Sequence, residues 1–183
     1  MNRSNRAGLV ACAVAAVVVG TVACAGREDA RVAFFETLRA TCGARYEGAK
    51  QFPDDTTDAF HGKLLVATVA ECNDSQVRVP FVVGADSSRT WVFTTRDSTL
   101  ELKHDHRHAD GTPDSVTMYG GMANLDGAPT SQQFEADAYT ARLIPAARTN
   151  VWTVTFSADA KELTYHLDRD AKPRFTAVLK RVN

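Results

Sequence analysis

The chain has 183 residues and a nearly balanced charge, with 21 Lys and Arg against 22 Asp and Glu. Its basic residues are scattered rather than striped, which excludes the electrostatic footprint of a nucleic-acid-binding surface. There is no repeat of about twenty residues and no low-complexity tract.

The first element is an export leader. Arg3 and Arg6 precede an uncharged run of Ala, Val, Leu and Gly from Ala7 to Ala23, the anatomy of a signal peptide rather than of a folded element. The stretch "TVAC", Thr21 to Cys24, resembles a bacterial lipobox at Val22, Ala23 and Cys24, with Thr21 where an aliphatic residue is usual. The resemblance to lipoprotein precursors implies cleavage before Cys24 and lipidation of its sulfur. Two alternatives are open: ordinary secretory cleavage near "ACA", or an uncleaved helix, for which residues 7–25 barely reach spanning length. The expected organisation is a signal peptide over 1–23, a tether over 24–28 and a single β-rich domain over 29–183. The expected address is the cell envelope, with the lipid as the sole membrane attachment; the alternative is secretion. Removing Arg3 and Arg6 leaves 19 basic against 22 acidic residues.

Of the four cysteines, Cys12 leaves with the leader and Cys24 carries the lipid, so Cys42 and Cys72 remain as a pair. In an oxidising compartment that pair predicts a disulfide, the alternative being two buried thiols. It closes a loop of about 30 residues, worth about 3.5 kcal/mol in a chain-entropy treatment. No C-x-x-C spacing supports thiol redox chemistry or a zinc ribbon.

Residues 29 to 42 predict a helix, with Asp29 as N-cap and Gly43 as stop. Phe34, Leu38 and Cys42 recur every four residues and share a face directed at the core. Beyond Gly43 the period changes to two. Strands are expected over 63–72, 76–84, 89–95, 98–108, 114–121, 150–157, 161–168 and 173–182, with a further one at 44–52. The run 136–148 predicts a short helix capped by Asp137 and ended by Pro145, or a loop over one end. "YGGMANLDG" reads as a flexible turn, where Gly tolerates positive φ. Short strands at intervals near ten residues predict a mainly β fold. It is a lipocalin-like antiparallel β-barrel or a β-sandwich of about nine strands with a short N-terminal helix, and closure is favoured because it removes edges.

The blocks "LKHDHRHADGTPDSVTMYGG" (102–121), "ADAYTARLIPA" (136–146) and "TNVWT" (149–153) resemble a group of uncharacterised bacterial secreted proteins and lipoproteins. That resemblance implies a class and no catalytic residues.

The first of those blocks holds the candidate site. His104, His106 and His108 share parity with Leu100 and Leu102, while Thr99, Glu101, Lys103, Asp105 and Arg107 form a charged face. The three histidines are therefore expected to point inward at one open end, where small-ligand sites occur. Adjacent histidines on a strand lie about 6.6 to 6.8 Å apart and the outer pair about 13 Å, so two but not three converge on one ion without a bend. Zinc is the candidate metal, and Asp110 or Asp114 would have to complete its shell. His166 alternates against Leu163, Tyr165 and Leu167 and should face out; His61 lies in a polar connection. The alternative for the trio is a polar strand end. No G-x-S-x-G elbow or G-x-G-x-x-G loop is present. Two functions stay open: a β-domain that binds a small molecule or an envelope protein, which the residues favour, and a metal-dependent hydrolase.

Overall fold

The structure is a computed structural model that describes residues 29–182. The expected leader, tether and lipidated Cys24 lie outside the described residues.

Helix α1 (Ala30–Ala40) starts where Asp29 accepts a hydrogen bond from the Arg31 backbone N–H, satisfying one of the donors a helix start leaves open. It ends at Thr41, and Gly43 follows at φ +84°, a conformation in which glycine carries no Cβ penalty. Phe34, Phe35 and Leu38 form its buried face. Cys42 does not continue that face. The helix stops two residues earlier, and Cys42 is exposed.

Eleven strands follow: β1 (Arg45–Phe52), β2 (Leu65–Thr68), β3 (Glu71–Cys72), β4 (Gln76–Val83), β5 (Asp86–Arg96), β6 (Thr99–His106), β7 (Tyr119–Ala123), β8 (Ser131–Ala136), β9 (Val151–Phe156), β10 (Glu162–Arg169) and β11 (Lys172–Val182). Each pairs antiparallel with its neighbour. Strand β1 pairs with β11, and β2 pairs with both β1 and β4, so ten strands close into an up-and-down barrel. Strand β3 is the continuation of β2 along β4, displaced by one residue: Ala67 pairs with Phe81, Glu71 with Arg78. The sandwich alternative is therefore excluded, and the ring has ten strands where lipocalins have eight.

Alternation decides what fills it. On β4, Val77, Val79, Phe81 and Val83 point inward, as do Trp152, Val154 and Phe156 on β9 and Phe175, Ala177 and Leu179 on β11. Helix α1 plugs one end. Phe34 sits 6.2 to 6.4 Å, ring to ring, from Phe93, Phe134 and Phe156 on β5, β8 and β9. The space between Leu38, Val79, Trp91, Phe93, Phe156 and Leu163 admits no water molecule. The barrel's lower half is thus a packed core.

Two expectations about the middle of the chain are corrected. Strand β8 carries one large apolar residue, Phe134, and gives no β signal in the sequence. Gly120 and Gly121 lie within β7 rather than in a turn. A Cβ at Gly120 would fall 1.9 Å from the Leu102 carbonyl oxygen, and one at Gly121 1.7 Å from that of Glu135. Close backbone approach, not flexibility, requires glycine there. Asp105, expected on a wet face, is buried on the barrel's outer side. Arg78 Nη2 and Arg107 Nε each donate to its Oδ2 at 3.0 Å.

Cys42 and Cys72 form the expected disulfide, with Cα atoms 6.3 Å apart, tying the end of α1 to β3. Cys42→Ser together with Cys72→Ser is expected to lower stability by about 3.5 kcal/mol. Denaturant unfolding of the double variant beside the oxidised protein measures it; equal midpoints would show that the bond constrains nothing.

Candidate functional site

The barrel's other end is open. Its mouth holds a cavity of about 300 Å³. The wall comes from separate elements: Tyr119 from β7, Trp152 from β9, Tyr165, Leu167 and Arg169 from β10, and Arg174 and Phe175 from β11. Phe60, in the β1–β2 connection, lies over the rim with its ring 4.8 Å from Phe175. Helix α2 (Ala138–Leu143) and a 3-10 turn (Pro145–Ala147) follow β8 and bring Ile144, Ala147 and Asn150 to the rim. Asp137 caps α2 by accepting from the Thr140 N–H at 2.7 Å and also binds Lys103 Nζ. The Thr140 hydroxyl accepts from the Gly120 N–H and donates to its carbonyl, both at 2.7 Å. This fixes the expected short helix against β7.

Tyr119, Trp152 and Tyr165 give the cavity an aromatic wall, and further rings pack behind it. Trp91 is stacked between Phe81 and Tyr165 at 4.5 and 4.4 Å. His104 is stacked on Tyr119 at 4.7 Å and lies 5.1 Å from Trp152. Its imidazole is 4% exposed and both nitrogens are engaged. Nδ1 is 3.1 Å from the Tyr119 carbonyl oxygen and Nε2 is 2.7 Å from the Tyr165 hydroxyl. Burial pushes the His104 pKa down to about 3, so the ring is neutral at ordinary pH. A carbonyl can only accept, so Nδ1 carries the proton, and Nε2 must accept from Tyr165. Burial holds the Tyr165 hydroxyl well above its usual pKa, which keeps that proton in place.

His106 is half-buried, with Nε2 3.0 Å from the Tyr119 hydroxyl. Burial, then the Arg89 charge, lowers its pKa, and burial raises that of Tyr119 to about 12. Tyr119 thus links the two histidines, offering its carbonyl to one and its hydroxyl to the other.

His108 does not join them. Strand β6 ends at His106, and the chain turns at Gly111, whose N–H donates to the His108 carbonyl. His108 is exposed in an outer cleft beside Asp86, Ser88 and Arg107. His166 faces outward as expected, 2.7 Å from the Thr176 hydroxyl and 3.1 Å from Asp168. Asp110 and Asp114 are occupied by their own turns, bonding Thr112 and Val116. Among the described residues no group of three or more His, Cys, Asp or Glu side chains is placed to hold a metal ion. A zinc ion at His104 would first have to displace the Tyr165 hydroxyl from Nε2 or the Tyr119 carbonyl from Nδ1.

Sequence reasoning missed the rest of the mouth, because Trp152, Tyr165, Arg169, Arg174 and Phe175 come from three strands. The parity of Trp152 with Val154 and of Tyr165 with Leu163 was the available signal. No protein-family model matches the chain, and neither a curated protein nor a solved structure matches it.

Proposed function

We propose that the chain is an exported lipoprotein, anchored through Cys24 in the cell envelope, whose barrel mouth binds a small ligand. The observation that carries the binding reading is the open cavity of about 300 Å³ above a core with no space for water. Small-ligand sites are concave, largely apolar and furnished with few polar groups. The wall here is mostly aromatic and aliphatic, with Asn150, Arg169 and Arg174 at the rim. Binding is better supported than hydrolysis. The cavity lining contains no serine or cysteine nucleophile, and both His104 nitrogens are committed to protein partners. The leader and the "TVAC" stretch support the anchor, and the disulfide agrees with an oxidising compartment.

Thermal unfolding of residues 29–183 against a collection of small molecules tests the binding. A ligand at one hundred times its Kd adds about 2.7 kcal/mol. Ile144→Trp, which crowds the rim, should abolish the shift. A shift equal in both proteins would move the ligand elsewhere, and no shift with any compound would count against a binding domain. The anchor is tested by radioactive palmitate labelling of the full chain in the producing cell. Label is expected in the wild type and lost in Cys24→Ser; an unlabelled wild type would overturn the lipoprotein reading.

A further inference from the structure

We propose that the mouth takes an organic anion with a flat apolar body, its charged group held by Arg169 and Arg174 and its rings laid against Trp152 and Phe175. This rests on the binding reading above and specifies the ligand.

The charge balance of the rim is the first argument. Three charged side chains line the cavity: Asp58, Arg169 and Arg174. Asp58 is already paired, 3.6 Å from Lys50 Nζ, whose side chain is 5% exposed. Neither arginine has a carboxylate partner among the described residues, although eleven Lys or Arg ion pairs are formed elsewhere in the fold. The rim therefore presents uncompensated positive charge.

Positioning is the second. Arg169 is the last residue of β10. Its Nε donates to Asn150 Oδ1 at 2.8 Å, and Asn150 is 4% exposed. A buried amide thus fixes the guanidinium plane by its inner nitrogen. The two terminal nitrogens make no protein hydrogen bond among the described residues. They are the pair that grips a carboxylate or sulfonate side by side. Arg174 stands exposed on β11 at the same cavity and supplies the second charge.

The third argument is exclusion. The Tyr165 hydroxyl cannot serve the anion, since its one proton is donated to His104. An anion placed deep would meet ring faces, whose negative electrostatic potential repels it. The charge must stay at the rim and the apolar body must go inward, against Trp152, Leu167 and Phe175, with the Phe60 ring alongside.

Two dyes of the same ring skeleton separate charge from shape. 8-Anilinonaphthalene-1-sulfonate carries one sulfonate; N-phenyl-1-naphthylamine carries none. Residues 29–183 hold the ring, plug and disulfide and are used without the leader. Binding is read as energy transfer from the two tryptophans. The sulfonate dye is expected to bind more tightly and to weaken as salt rises. Arg169→Gln should weaken it about tenfold and Arg174→Gln, more exposed, about threefold. Neither change should alter the neutral dye. Arg96→Gln, at the β5–β6 turn of the opposite end, should alter neither. If both dyes bind equally and the two rim variants change nothing, the anion is refuted while the cavity stands. If neither dye binds, the cavity reading fails and this inference with it.

Discussion

Alanine at Phe34 is expected to lower the free energy of unfolding by about 3–5 kcal/mol, the range for a large buried aromatic. Phe34 is fully buried and meets rings from three strands. The void it leaves cannot easily collapse. Every strand of the ring is paired on both sides, so moving one wall inward would break its neighbours' hydrogen bonds. Loss therefore belongs at the upper part of the range, where cavity formation adds to lost transfer energy. Guanidinium unfolding should show a lower midpoint with an unchanged slope. Glu36→Ala, on the helix's exposed side, should stay within about 0.5 kcal/mol. A Phe34→Ala loss below about 1.5 kcal/mol would show that α1 rests against the barrel rather than filling its end.

Acid is expected to weaken the fold well before the carboxylates titrate. His104 falls from 6.5 to about 3 on folding, first because it is buried. Between those values the unfolded chain binds a proton that the folded chain refuses. Stability from this group is thus complete above pH 6.5 and declines as pH falls toward 3. Each pH unit is worth about 1.4 kcal/mol, so going from 6.5 to 5 removes about 2 kcal/mol. His106 is lowered too, with burial as the leading cause, and acts in the same direction. Asp105 and Asp137, held low by their Arg and Lys partners against the effect of burial, add to the loss only at lower pH. Urea midpoints at pH 7 and pH 5 measure the first part. Equal midpoints would mean that His104 accepts a proton in place. NMR offers an independent check, since the His104 ring shifts should stay flat from pH 8 to 5.

Much of the barrel was legible because inward positions on most strands are apolar. Val77, Val79, Phe81 and Val83 give an unbroken period of two on β4. Strand β8 was hidden because Gln132 takes an inward slot, its amide tied to the Asn124 carbonyl at 2.9 Å. The segment after His108 was misplaced for a different reason. The chain pairs briefly at Arg107 and Pro113 and then bulges. It regains the sheet only after Met118, whose φ is +57°. Alternation locates a strand only while the register is kept. Within the site, parity with Leu100 and Leu102 put His104 and His106 inside. It could not show where β6 ends, so His108 was carried along. The arginines were illegible, since an unpaired cation is recognised only when the acids around it are seen to be engaged elsewhere.

The pairing of β1 with β11 also bears on how the protein is made. Arg45 lies opposite Val182, so the first strand waits for the last. Until residues 172–182 have left the ribosome, β1 and β10 each present a bare edge and the ring is an unfinished sheet. The strands between them pair with sequence neighbours and can form hairpins early, but none of these encloses the core. A nascent chain lacking β11 has no lid on the ladder at that seam. Such a chain stays open enough to be threaded through a narrow pore, and it is vulnerable to edge-to-edge association for the same interval. A stop codon before Lys172 should therefore yield an insoluble product rather than a smaller barrel.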